Sequence, residues 1–162
     1  MNAKLLTRSA VIALNGAPGQ VFPLFTPLGE YHWVPGWDPE FVYPPSGEAG
    51  ANTVFATRHG DQPRTIWLTV TYDTDQHRAE YVNFTPDSHL SRITIQCQPD
   101  GAARTQAEVS YTLVATGPHG QDELDKLSAE AFASRMQHWQ HAINYYLEHG
   151  EANPHLHWQA QH

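Results

Sequence analysis

The stretch from Gln121 to His149 constrains the fold of this chain more than any other part of it. Leu124, Leu127, Phe132, Met136, Trp139, Ile143 and Leu147 recur at the three- and four-residue spacing of one helix face, which predicts a single amphipathic helix. At 1.5 Å per residue it would run for roughly 40 Å. An apolar stripe of that length needs a broad partner surface, and a curved sheet supplies one. A sheet wrapped around one helix tends to leave a space between the layers, which makes that space the first place to look for function.

The segment before the helix supplies the sheet. Thr7–Leu14, Phe41–Tyr43, Thr53–Arg58, Thr65–Tyr72, Arg78–Phe84, Ser91–Gln98 and Thr105–Ala115 read as strands separated by turn clusters such as Asp73-Thr74-Asp75 and Pro99-Asp100-Gly101. Ile93, Ile95 and Cys97 alternate with Arg92, Thr94 and Gln96, so one face is dry and the other wet. Val109, Tyr111 and Leu113 alternate in the same way with polar neighbours. Between the first two strands, Gln20–Phe25 predicts a short helical stretch limited by Pro23 and Pro27, and Leu28–Pro39 predicts further short turns. Gly150 is placed to stop the long helix. The expected class is α+β, an antiparallel sheet curved around a C-terminal helix, with one domain over residues 1–150 and a His-rich tail over 151–162.

Composition removes several function classes. Nine Lys and Arg face 17 Asp and Glu, a net charge of −8 that repels nucleic acid and anionic membranes. No apolar run approaches the ~18 residues of a membrane span. Lys4 to Ala17 resembles a secretory leader only faintly, since Arg8 interrupts it, and a cytoplasmic location is expected. The lone Cys97 reads as a small core residue, because no cation flanks it to activate a thiolate. Nucleophile elbows, phosphate loops, dinucleotide fingerprints and H-E-x-x-H are missing, so no cofactor is expected. His138 and His141 sit three apart on the helix but away from its apolar face, and His155, His157 and His162 crowd the tail; no metal site is expected.

The order of elements, with Val21-Phe22-Pro23-Leu24-Phe25 leading into Glu30-Tyr31-His32-Trp33-Val34-Pro35-Gly36-Trp37-Asp38-Pro39, resembles the START-like helix-grip superfamily, also called SRPBCC or polyketide-cyclase/dehydrase-like. The likeness covers about residues 7 to 150, and the 33–39 segment together with the ending from Trp139 to Gly150 is its most specific part. The resemblance implies a seven-stranded antiparallel sheet, two short helices after the first strand, and a mostly apolar cavity under the last helix. Its members bind lipids, sterols, polyketides or other hydrophobic molecules, and some are cyclases or co-chaperones. A fold used so variously does not set the activity.

Within that frame the expected ligand-binding residues are Trp33, Trp37, Trp67, Tyr81, Tyr111, Met136 and Trp139, since large rings line apolar pockets while indole N–H and phenol groups orient a guest. Ordinary core packing is the competing explanation for each of them. Glu30 and His32 are the candidates for acid–base catalysis, with Asp38 beside them, although all three residues also suit caps and turns. Arg58 and Arg92 could hold a carboxylate if they point inward. The expected function is binding of a small hydrophobic molecule, with a cyclase-, dehydratase- or hydrolase-type enzyme and a co-chaperone-like interaction module as alternatives. A homodimer is possible because edge strands need protection.

Overall fold

The computed structural model describes residues 5–155, so His157 and His162 of the tail lie outside the described residues. Seven strands form one antiparallel sheet: β1 (Leu5–Leu14), β2 (Glu40–Tyr43), β3 (Val54–Thr57), β4 (Thr65–Asp73), β5 (Arg78–Thr85), β6 (His89–Pro99) and β7 (Thr105–Ala115). Their spatial order is β1-β7-β6-β5-β4-β3-β2, a meander from β2 to β7 with β1 added beside β7. The alternation read from sequence holds in register. Tyr81, Ile93 and Tyr111 stand opposite one another across β5, β6 and β7, as do Ala79, Ile95 and Val109, and all six are buried. Cys97 belongs to the same face, where burial pushes its thiol up to about 12. That keeps it protonated and unreactive.

The long helix is two helices. The chain forms α2 (Gly120–Lys126) and α3 (Ala129–His149), with a break at Leu127 and Ser128. The step from Leu127 to Phe132 is five residues, which a continuous helix cannot keep on one face. Breaking the helix lets Leu124, Leu127 and Phe132 all be buried. Ser128 starts the second helix by accepting a hydrogen bond from the Ala131 N–H at 3.0 Å, and the Arg8 Nε of β1 donates to the Leu127 carbonyl at 3.1 Å. Both ends of the break are therefore satisfied. Ser128→Ala should lower stability by about 1 kcal/mol, read as a shifted urea midpoint at constant slope.

Beyond the break α3 runs for about 30 Å along the concave face. It buries Phe132, Met136, Trp139, Ala142 and Ile143, while His138 and His141 stay exposed. Its flank also ties down the outer edge of the sheet. Gln140 Oε1 accepts the Ala13 N–H at 2.9 Å, Asn144 Oδ1 accepts the Asn15 N–H at 2.8 Å, and Asn144 Nδ2 donates to the Ala13 carbonyl. Two side chains four residues apart thus occupy backbone groups that an edge strand otherwise offers to a second chain. At the opposite edge β2 is only four residues long.

Between β1 and β2 the chain makes a single turn of helix, α1 (Pro18–Val21), followed by 3-10 turns over Phe22–Phe25 and Gly29–His32. α1 packs against β6, Phe22 stacks on Tyr72 of β4 and Tyr81 of β5 bonds to Phe25, so these segments roof the sheet and carry the residues of greatest functional interest.

Candidate binding cavity

The roof is held by side chains that reach its open carbonyls. Short 3-10 turns rich in proline leave backbone acceptors without backbone donors. Three of them take ring donors: the buried Trp33 Nε1 donates to the Leu24 carbonyl at 2.8 Å, the buried Tyr81 hydroxyl to Phe25 at 2.9 Å, and the half-buried Trp37 Nε1 to Pro27 at 2.7 Å. Thr26 completes the turn by donating its hydroxyl to the Pro23 carbonyl while accepting the Gly29 N–H. Gly29 lies so close to the preceding turn that a Cβ there would sit 2.0 Å from the Pro23 carbonyl oxygen. That close approach turns Glu30 inward, and Glu30 is only 5 % exposed.

Beneath this roof lies a void of about 20 Å³, lined by Phe25, Pro27, Glu30, Phe55, Trp67, Tyr81, Ile93, Ile95 and Trp139. The expected hollow is mostly filled. Trp139 packs edge-to-face on Trp33 at 5.6 Å between ring centres, Phe25 lies 6.1 Å and Tyr111 6.3 Å from Trp139, and Phe55 stacks on Trp67 at 5.4 Å. What remains has room for about one water-sized group. Burial raises the Tyr81 hydroxyl well above its ordinary range, with the charge of Glu30 adding to the effect. Burial also lifts Tyr111 to about 12; the Arg135 guanidinium, hydrogen-bonded to that hydroxyl, opposes the rise and Glu30 adds to it. Both phenols therefore stay protonated at neutral pH.

The residues singled out from sequence separate into groups. Trp67, Tyr81, Trp139 and Glu30 line the void. Trp67 points inward while Leu68 is exposed, and its indole donates to Thr57 Oγ1 at 3.0 Å. Trp33, Tyr111 and Met136 are buried around the void without lining it. His32 lies outside, exposed and stacked on Tyr146 at 4.9 Å. Arg92 turns to the convex face and pairs with Glu80 at 2.6 Å. Phe25, Pro27 and Phe55 were missed. Phe55 could have been found from its strand, since alternation puts it on the dry face opposite Trp67, whereas nothing local marks Phe25 and Pro27 as a wall.

Trp37, Asp38 and Arg58 belong to a second space, an open depression of about 550 Å³ outside the roof that is also lined by Glu40, His59 and Arg64. Its charges nearly balance, since Arg64 pairs with Glu40 at 3.0 Å and Asp38 faces the same space as Arg58. Trp37 lines the depression and contacts two residues of the inner void without lining that void itself. It forms part of the wall of the depression, packs edge-to-face on Phe55 at 6.3 Å, and bonds to Pro27, and both partners line the inner void. Among the described residues no cluster of three or more His, Cys, Asp or Glu could hold a metal, and no helix is long and apolar enough to cross a membrane.

No family model matches the chain, and no curated protein matches it in sequence. Solved structures do match it in three dimensions. Norcoclaurine synthase of Thalictrum flavum superposes with a TM-score of 0.64 over 93% of this chain and 99% of that one, at 12% identity. The chain has the helix-grip fold of the START-like, or SRPBCC, proteins. The helix grip is shared equally with Ara h 8.0201, at a TM-score of 0.65 and 17% identity over 89% of this chain and 98% of that one. The Zhui aromatase/cyclase of Streptomyces sp. R1128 matches at 0.61 and 13% identity over 89% of this chain and 94% of that one. At such identities the likeness is one of fold, and the site has to be argued from its own residues.

Proposed function

We propose that this helix-grip protein binds a small hydrophobic molecule, with its apolar end beneath α3 and its other end in the outer depression. The observation that carries the reading is the position of Trp37, which lines an open space of about 550 Å³ and packs against Pro27 and Phe55, two residues of the aromatic-lined void. A depression of that size suits a small-molecule ligand, and aromatic walls supply burial worth about 25 cal/mol per Å². The molecule enters as Trp37 swings aside, breaking its hydrogen bond to Pro27. Compact one- or two-ring guests fit this arrangement better than sterols or long acyl chains, because Trp33, Trp139 and Phe25 already occupy the interior.

The test is a panel of aromatic compounds, fatty acids and sterols, followed by tryptophan fluorescence and melting temperature. A ligand present at 100 times its Kd stabilises by about 2.7 kcal/mol, which for a chain of this size raises the melting temperature by roughly 5–10 °C. Trp37→Phe keeps the ring and loses the bond to Pro27, so association should quicken by about 2- to 10-fold. A flat response across the whole panel overturns the reading.

Glu30 supports a second reading, a proton-transferring enzyme acting in the same space. A buried carboxyl that lines the cavity has the position a general acid or base requires. That reading requires a bound panel compound to be converted to product by the native protein and left unconverted by Glu30→Gln.

A further inference from the structure

The outer depression holds more charge than it pairs. Arg58, Arg64, Asp38 and Glu40 all line it, and Arg64 Nη2 meets Glu40 Oε1 at 3.0 Å, so those two offset each other. Among the described residues Arg58 and Asp38 form no ion pair and no side-chain hydrogen bond, either with each other or with a third group. A free guanidinium and a free carboxylate therefore face a single space of about 550 Å³. Arg64 keeps a further donor. Its Nε is shut off from solvent without an acceptor, so the side chain gains a bond by turning toward a carboxylate that enters.

The two spaces also touch. Trp37 of the depression bonds to Pro27 of the void, and Thr57 of the depression accepts the indole N–H of Trp67, which lines the void, at 3.0 Å. A short guest can therefore reach from one space into the other once Trp37 moves. The charges then decide what its head must carry. An acid brings its charge up to Asp38 and an amine brings its charge up to Arg58, and like charges set against each other at a binding surface lower affinity. A head that carries both signs meets both residues with their opposites. Such a head has no net charge, so the −8 of the whole chain does not repel it.

We infer that the molecule taken by this site is an aromatic α-amino acid, its ring beneath α3 and its zwitterionic head in the outer depression, with the carboxylate on Arg58 and the ammonium on Asp38. This rests on the binding reading above, keeps its orientation, and narrows it to one ligand class.

Phenylalanine, 3-phenylpropanoate and 2-phenylethylammonium at pH 7 and low salt test the assignment, because they share a ring and a two-carbon link and differ in which charges the head bears. Calorimetry or tryptophan fluorescence should show phenylalanine binding at least about 5-fold more tightly than either analogue. Arg58→Gln should remove its advantage over 2-phenylethylammonium, and Asp38→Asn its advantage over 3-phenylpropanoate. Both side chains are exposed, so the melting temperatures of the two free variants should match that of the native protein. The three affinities on the native protein stand without the variants. Equal or tighter binding of either analogue, or an advantage that survives its substitution, overturns the amino-acid assignment while leaving the binding reading in place. If all three fail to bind while other compounds of the panel do bind, the assignment also falls. If no compound of any class binds, both fall.

Discussion

Trp139→Ala should cost the protein about 3–5 kcal/mol, and its melting temperature should drop by roughly 10 °C. The indole is 1 % exposed and meets three separate parts of the molecule: Trp33 and Phe25 from the roof, and Tyr111 from the sheet. Deleting it removes both its own burial and the surface on which those rings rest. The roof carries Glu30, so the loss of packing also disturbs the site. Denaturant titration measures the effect, with His141→Ala as the control because that side chain is exposed on the same helix and should change stability by less than about 0.5 kcal/mol. A Trp139→Ala loss below about 1 kcal/mol would mean that α3 is not gripped in the way described.

The second large effect is expected at a glycine. Gly29→Ala places a Cβ 2.0 Å from the Pro23 carbonyl oxygen and 2.7 Å from Leu24 Cα, and both neighbours are backbone atoms that cannot rotate away. The 3-10 turn must shift as a unit, at a cost of about 3 kcal/mol. The shift moves Glu30, the next residue, so ligand binding should weaken together with stability. Gly19→Ala is the contrast. Nothing lies within 4 Å of its added Cβ, and stability should hold or rise by a few tenths of a kcal/mol. Urea midpoints and ligand titrations of the two variants test the close-packing argument directly.

Much of the scaffold could be read from residue patterns. The last strand runs from Thr105 to Ala115 as alternation predicts, and the other strands differ by no more than two residues at either end. Cys97 occupies the core position that its neighbours Ile93 and Ile95 indicate. The single helix from Gln121 to His149 was the main departure, and its signal was present in the five-residue step after Leu127. Periodicity alone gives that step no meaning, because the break is stabilised by Arg8, which stands on β1 more than 100 residues away in sequence.

The site was less legible. Trp67, Tyr81 and Trp139 could be nominated as ring residues on dry faces, and Glu30 as an acid beside tryptophans. Whether each lines a void or packs solidly depends on which rings arrive from elsewhere. Trp33 and Tyr111, chosen on the same grounds, are core. Phe25 and Pro27 became walls because carbonyls left open by a short turn attracted donors from Trp33, Tyr81 and Trp37.

By itself the sequence determined the strands, their dry faces and an apolar helix to cover them, because period and turn chemistry are local properties written in neighbouring residues. The tertiary structure alone decided that the space beneath the roof shrinks to the size of one water, that Glu30 rather than His32 faces it, and that Trp37 lines the outer depression while bonding to Pro27 of the inner void. Those outcomes depend on the volumes and hydrogen-bond vacancies of segments distant along the chain, which take effect only where the folded backbone brings them together.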